Sequence, residues 1–249
     1  MRTLLSICVA VALTGCATPA NRYDPLEPLN RKVYAFNDAL DRAVVKPVAQ
    51  GYVAITPAPV RTAFGNFLGN LQDVYIALNG LLQGKVRQAG SDAGRFVVNS
   101  TLGLLGLIDI ATPIGFPKHN EDFGQTLGSW GIGSGPYLVL PVLGPRTLRD
   151  SVDIPVAAKL QPINQINDVQ TLNGLRVMEA IDQRARLLSA GELLDTAALD
   201  PYSFLRDGYL QRRYNLIYDG SPPKPLPMGE DDVDVKGLDV SEPASPSIQ

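Results

Sequence analysis

Residues 123–145, FGQTLGSWGIGSGPYLVLPVLGP, run for 23 positions without a charged side chain. A neutral stretch of that length could cross a bilayer as a helix. Six glycines and three prolines within it forbid a regular helix, and the same glycines argue against a packed strand. The stretch 96–117 upstream is similar, with Asp109 as its one charge. From Gly65 to Gly144 there are 15 glycines in 80 residues, against about six at the usual rate of ~7%. Irregular backbone at membrane depth is tolerated only where protein buries it or a watery cavity borders it. Two readings stay open: a chain that contacts lipid without crossing it in a clean helix, and a loop bundle buried inside a soluble protein.

The N-terminus bears on that choice. Met1-Arg2 is a minimal positive region, and Leu4–Leu13 is an apolar run of ten residues, too short to span a bilayer. Leu13-Thr14-Gly15-Cys16 follows at once and resembles a bacterial lipobox, in which the cysteine becomes the diacylated N-terminus after cleavage. The alternative is an ordinary signal peptide cut near Ala17, with Cys16 incidental. A lipid anchor at Cys16 tips the neutral centre toward the membrane. Ala17 in place of Asp favours sorting to the outer membrane. Several acyl chains, at about 0.8 kcal/mol per buried CH₂, anchor a protein without any spanning helix.

Composition excludes other classes. The net charge of −3, from 22 basic and 25 acidic residues, is that of no general nucleic-acid binder. One histidine excludes a zinc site that needs two, and two cysteines near the N-terminus leave no disulfide framework in the body. No metal site and no cofactor is expected. The end of the chain, 220–249, is acidic, proline-rich and without aromatic residues. Such a segment cannot bury enough surface to offset its ordering entropy, and a disordered tail is expected.

Between these ends the periodicity is helical. Leu29, Val33, Phe36, Leu40 and Val44 share one face, with Pro47 as the expected stop. A second stripe runs from Val60 to Leu82, bounded by Pro59 and Gly84, and a third from Val86 towards Leu102. Asp168 reads as the N-cap of a helix carrying Val169 to Leu188, stopped at Gly191. Asp200-Pro201 reads as an N-cap followed by proline in the first turn, opening a helix to about Tyr218. The expected class is all-α, a single domain over 28–219 with an irregular Gly/Pro-rich central hairpin. It follows a signal peptide over 1–15 and an anchor linker over 16–27, and precedes the tail.

No set of residues makes a catalytic constellation. His119 sits in a polar loop without a nucleophile motif, and Gly131-Ile132-Gly133-Ser134-Gly135 is not a nucleophile elbow, because Ile132 stands where glycine is needed. Gly84-Lys85 lacks the phosphate-loop spacing. Arg206, Arg212 and Arg213 with Tyr202, Tyr209 and Tyr214 on the last helix suit either phosphate contacts or a solvated basic face. The pairs Arg31/Asp41 and Arg149/Asp150 read as structural.

Several blocks make the chain resemble a known family. Asp24-Pro25-Leu26-Glu27-Pro28-Leu29-Asn30-Arg31, Phe36-Asn37 and Lys46-Pro47-Val48-Ala49 open the match. Asn99-Ser100-Thr101 and the run from Glu121 through Gly135-Pro136-Tyr137-Leu138-Val139-Leu140-Pro141 extend it. With the lipobox, these are similar to the MlaA/VacJ family. The resemblance covers about Asp24 to Tyr218 and implies an outer-membrane lipoprotein of the Mla pathway, built as a helical ring in the inner leaflet of the outer membrane. It implies that misplaced phospholipid passes through an amphipathic passage, without covalent chemistry, to the periplasmic carrier MlaC, and that trimeric porins are partners. On this reading Gly128, Gly131, Gly133, Gly135, Pro136, Tyr137 and Pro141 border the passage, and Phe36, Leu104, Leu105 and Leu107 form an apolar rim. A glycine-rich wall suits a polar path, since it exposes backbone N–H and C=O groups with few side chains in the way. The competing classes are a membrane-anchored lipid hydrolase or acyltransferase, and a structural porin adaptor.

Overall fold

The computed structural model describes residues 24–191 and 198–223. Cys16, the leader and nearly all of the tail lie outside the described residues. The folded body starts a little before the expected boundary. Asp24 is buried and accepts hydrogen bonds from Asn30 Nδ2 at 2.7 Å and from the Tyr202 hydroxyl.

The architecture is helical, with one small hairpin. Helix α1 (Glu27–Leu40) runs through a π-helical turn, Asp41–Val45, into α2 (Lys46–Ile55). Pro47 therefore does not end the helix, as its sequence position suggested. Proline has no N–H to give to the carbonyl one turn back. The wider π turn, in which Lys46 N–H reaches the Asp41 carbonyl, delivers Pro47 to the first turn of α2, where that donor is not needed.

The next two helices, α3 (Ala58–Leu82) and α4 (Val86–Thr101), fold back on each other. Gly84, at φ 77°, makes the turn. Its N–H bonds the Leu81 carbonyl and the Lys85 N–H bonds that of Gly80, the paired bonds of a Schellman cap. A Cβ on Gly80 would stand 3.3 Å from that of Ala89, which is how closely the helices approach.

The segment after α4 has no regular structure until α5 (Phe123–Ser129). Its backbone is held by polar side chains of α4. Asn99 Oδ1 accepts from the N–H groups of Ile110 and Ala111, and Arg95 donates to Thr112 and to the Phe116 carbonyl.

Strands β1 (Tyr137–Leu140) and β2 (Gly144–Thr147) pair antiparallel, Tyr137 opposite Thr147. The glycine content argues against a strand here. The glycines in fact cluster at 131, 133, 135 and 144, outside the Tyr-Leu-Val-Leu run, whose alternate residues Tyr137 and Val139 are buried. Helix α1 supplies what a third strand would. Asn30 donates to the Tyr137 carbonyl at 3.0 Å and accepts from Val139 N–H at 2.9 Å. Asn37, two turns on, does the same for the Leu140 carbonyl and the Val142 N–H at 3.0 and 2.8 Å.

Short helices α6 (Leu148–Ser151) and α7 (Asp153–Leu160) lead through a 3₁₀ turn, Pro162–Gln165, to α8 (Val169–Arg186) and α9 (Pro201–Ile217). Asp168 and Asp200 cap α8 and α9 as their positions suggested, accepting from the N–H groups of Thr171 and Tyr202. The apolar core is small: Tyr137, Val139, Tyr202 and Leu210, backed by Val33, Tyr34 and Tyr209.

What is inside is mostly polar. Among the described residues, 12 hydrophobic side chains are buried against 16 polar or charged ones, and Leu210 is the one leucine in the buried set. Thirty large hydrophobic side chains are exposed. A water-soluble monomer exposes scattered apolar residues; here half of the leucines among the described residues, 13 of 26, are exposed. No helix among the described residues is long and apolar enough to cross a membrane.

Candidate lipid-facing cleft

The chain between α5 and the hairpin forms one wall of a cleft of about 260 Å³, and α9 forms the other. Three local rules shape the first wall. Asp122 caps α5 by accepting from Gln125 N–H at 2.9 Å. Gly131, at φ 88°, ends the helix. Its N–H bonds the Gly128 carbonyl and the Ile132 N–H bonds that of Leu127, a second Schellman cap. Trp130, at the helix end, donates its indole N–H to the Leu82 carbonyl at 2.9 Å and ties the wall to α3.

Gly128, Gly131 and Gly133 line the cleft, with Ile132 and Ser134. Opposite them stand Tyr214 and Ile217 of α9. Arg149 and Arg213 also line it, with Thr147, Leu210 and Tyr218, and no carboxylate contributes.

Behind these arginines lies a buried ion network. Arg213 forks onto Asp122, with Nη2 to Oδ1 at 2.9 Å and Nη1 to Oδ2 closer still, and Nη2 also reaches Asp150 Oδ1 at 2.9 Å. Arg149 donates to the same Asp150 oxygen through Nε and Nη2 at 3.1 and 3.0 Å and to the Ile132 carbonyl through Nη1 at 3.2 Å. The Tyr209 hydroxyl donates to Asp150 Oδ2 at 2.8 Å. Gly124 lets the network form, because a Cβ there would fall 2.7 Å from Asp150 Oδ1. Burial pushes Asp122 and Asp150 toward the neutral form, but the bonds and charge of Arg213 prevail and hold both below the usual carboxylate range. For Arg213 burial opposes the charge, and Asp122 and Asp150 raise it above the ordinary arginine value.

The residues expected at the passage divide on this geometry. Gly128, Gly131 and Gly133 stand at the cleft; Gly135, Pro136, Tyr137 and Pro141 do not. Gly135, at φ 66°, packs against Leu148, whose N–H bonds the Pro136 carbonyl. Tyr137 is wholly enclosed among Tyr202 and Tyr209, and Pro141 lies exposed at the hairpin tip. Phe36, Leu104, Leu105 and Leu107 are all exposed, Leu105 by 73%. Leu104 and Leu105 adopt φ of 52° and 60°, left-handed values that cost an ordinary residue about 1–2 kcal/mol each.

Several charged residues are placed otherwise than the sequence suggests. Arg213 is buried rather than part of a solvated basic face; Arg212 is the exposed one. Arg31 pairs with Asp200 and Glu27, and Asp41 with Arg184, so Arg31 and Asp41 are not partners. His119 is no free loop residue, since its Nδ1 lies 2.8 Å from the fully buried Asp92. The pair Arg149/Asp150 is structural, as its position suggested, and is buried; the partners Asp122, Tyr209 and Arg213 come from elsewhere in the chain, and Gly124 within Glu121-Asp122-Phe123-Gly124-Gln125 is their local trace.

The described body is helical, exposes half of its leucines, buries an ion network and opens a glycine-walled, arginine-lined cleft. The sequence profile of the MlaA lipoprotein family matches residues 22–216. The intermembrane phospholipid transport system lipoprotein MlaA of Escherichia coli K12 is 37% identical over 222 residues, 86% of this chain and 87% of that one. Its namesake in Haemophilus influenzae is 34% identical over 228 residues, 87% and 90% of the two chains. A solved chain from work on the structural basis for maintenance of bacterial outer membrane lipid asymmetry superposes with a TM-score of 0.70 at 35% identity, covering 79% of this chain and all of that one. The chain belongs to the MlaA lipoprotein family.

Proposed function

We propose that this chain is the outer-membrane lipoprotein of an intermembrane phospholipid transport system, which removes phospholipid from the outer leaflet and so maintains lipid asymmetry. The observation that carries this reading is the exposure of 30 large hydrophobic side chains among the described residues, beside an interior in which polar side chains outnumber apolar ones. With lipid tails as the surroundings, outward leucines are in their favoured medium. A charged headgroup crossing a leaflet needs polar partners, because an unpaired charge in hydrocarbon is costly. The cleft between Gly128–Ser134 and α9 offers them, while the acyl tails stay among exposed side chains such as Leu104 and Leu105. The named relatives, described as phospholipid transport lipoproteins, support the reading.

On this reading Cys16 carries the lipid anchor at the periplasmic face, and a trimeric porin and the carrier MlaC are the partners. Phospholipid is moved intact. In the test, the chain is expressed in a strain lacking its relative and outer-leaflet phospholipid is measured by its accessibility to added phospholipase. Purified protein is incubated alongside with radiolabelled phospholipid and acceptor. Lowered surface phospholipid and intact label on the acceptor are expected. Unchanged surface phospholipid, or lysolipid and free fatty acid as products, would overturn the reading.

A further inference from the structure

An inner and an outer ion pair hold the C-terminal end of α9. Arg213 makes the inner one, buried and forked onto Asp122 and Asp150. Asp219, just past the helix end and about 9 Å further along at ~1.5 Å per residue, makes the outer one. Between them lie Tyr214, Ile217 and Tyr218, all in the lining of the cleft. Asp219 Oδ1 accepts from Lys85 Nζ at 2.5 Å. Lys85 belongs to the turn between α3 and α4, and that turn is bound to the opposite wall. Lys85 Nζ donates to Glu121 Oε1 at 3.0 Å, Gln88 to the same oxygen at 2.8 Å, and Gln83 to Glu121 Oε2 at 2.7 Å. Trp130 donates to the Leu82 carbonyl of the same turn. Glu121 and Trp130 bracket α5, which leads into the glycine wall. One ammonium group therefore joins the two sides of the cleft, through a carboxylate from each.

The two halves of this bridge are unequal. The Glu121 side chain is 2% exposed and that of Asp219 is 54%. Water and salt weaken an exposed pair and act far less on a buried one. Asp219 also stands at φ 50°, outside the helix, so its pair can part without breaking the helical ladder. Once it parts, α9 stays fixed at Arg213 while its last turn can lift Ile217 from Gly128. In the closed cleft Ile217 Cδ1 lies 2.9 Å from where a Gly128 Cβ would stand. From this juxtaposition we propose that Lys85 is a positioning residue of the cleft, and that its pair with Asp219 is a latch whose release opens the cleft to phospholipid. The inference rests on the transport reading above and adds what sets the width of the path.

The test uses the full chain in detergent with spin labels on Ile132→Cys and Tyr218→Cys, exposed positions on the two walls. On the lipobox reading Cys8 is removed and Cys16 acylated, so the introduced thiols alone take label. Double electron–electron resonance reads the closed-to-open ratio as a short and a long distance. Asp219→Asn removes the charge and keeps the backbone, because asparagine tolerates the left-handed region. It should lower the ratio about two- to fivefold. About 1 M NaCl, where the Debye length falls to ~3 Å, should lower it similarly in the wild type and leave Asp219→Asn unchanged. Transfer of radiolabelled phospholipid from vesicles to acceptor by unlabelled Asp219→Asn should rise by a similar factor. Lys85→Gln should match Asp219→Asn; if it fails to fold because Glu121 loses its cation, Asp219→Asn decides alone. Distances unaltered by Asp219→Asn, or a salt response that survives in it, overturn the latch and leave transport intact. Shifted distances with transfer equal to that of the wild type overturn its part in lipid entry. Shifted distances with no transfer by wild type or variant uphold the latch and remove the transport reading.

Discussion

Gly133→Leu isolates the cleft from the fold. A Cβ at Gly133 meets no atom within 4 Å, and its backbone is outside the left-handed region. A side chain therefore starts from Gly133 without a Cβ clash or backbone strain. The neighbouring glycines do not allow so clean an experiment. Gly131 sits at φ 88° in a helix cap, and a Cβ on Gly128 would fall 2.9 Å from Ile217. Four added carbons, each taking roughly the ~30 Å³ share of a water molecule, place about 120 Å³ of hydrocarbon at the glycine wall of the cleft. A headgroup should be excluded, while Gly133→Ala, with one carbon, should leave most of the space. Surface phospholipid would be measured by phospholipase accessibility in a deletion strain carrying wild type, Gly133→Ala or Gly133→Leu at matched abundance. The expected order is full, near-full and lost complementation, with unfolding curves superimposable within about 0.5 kcal/mol. Complementation by Gly133→Leu at normal abundance would refute the assignment of the cleft as the path.

Further outcomes follow from the ion network and the rim. Asp150→Asn leaves Arg149 without a carboxylate and Arg213 with Asp122 alone, and should lower stability by about 3–5 kcal/mol in urea unfolding; a loss under about 1 kcal/mol would show that the network carries no such weight. Asp122 and Asp150 have folded pKa values below their unfolded ones, so their stabilisation is complete above the unfolded carboxylate range and is lost as pH falls through the folded values. Asp122→Asn should accordingly flatten the acid limb of stability below about pH 4, and an unaltered limb would count against the pairing. Leu104→Ser with Leu105→Ser should reduce liposome flotation of an unacylated Cys16→Ser form by about 2 kcal/mol or more, with unfolding unchanged because both side chains are already exposed.

The elements that sequence made legible are those set by neighbours in the chain. Asp168, Asp200 and Gly84 act on residues within a turn of themselves, and each does what its type and position indicate. The misreadings involve distance. Arg31 and Asp41 lie close in the chain and invite pairing, yet their partners are Asp200, 169 residues from Arg31, and Arg184, 143 from Asp41. Strand β1 is held by Asn30 and Asn37 from a helix over a hundred residues away, a contact that glycine counting does not register. The cleft is half legible for the same reason. Its glycine wall is one continuous segment, while Arg213, Tyr214 and Ile217 arrive from α9 across the fold.

Periodicity also has a limit of principle. Leu29, Val33, Phe36, Leu40 and Val44 do recur at helical spacing, but of these Val33 packs on the core while Leu29, Phe36 and Val44 are exposed. An apolar stripe states only that its residues share a face that avoids water. It cannot tell a protein core from hydrocarbon, since both are apolar. A mean hydropathy of +0.03 is equally uninformative, because composition does not report placement. Once the surroundings are lipid, burying another leucine gains little, and what distinguishes one packing from another is the satisfaction of polar groups. That is why Asn30, Asn79, Asn99, Asp150 and Arg213 occupy the interior of this chain.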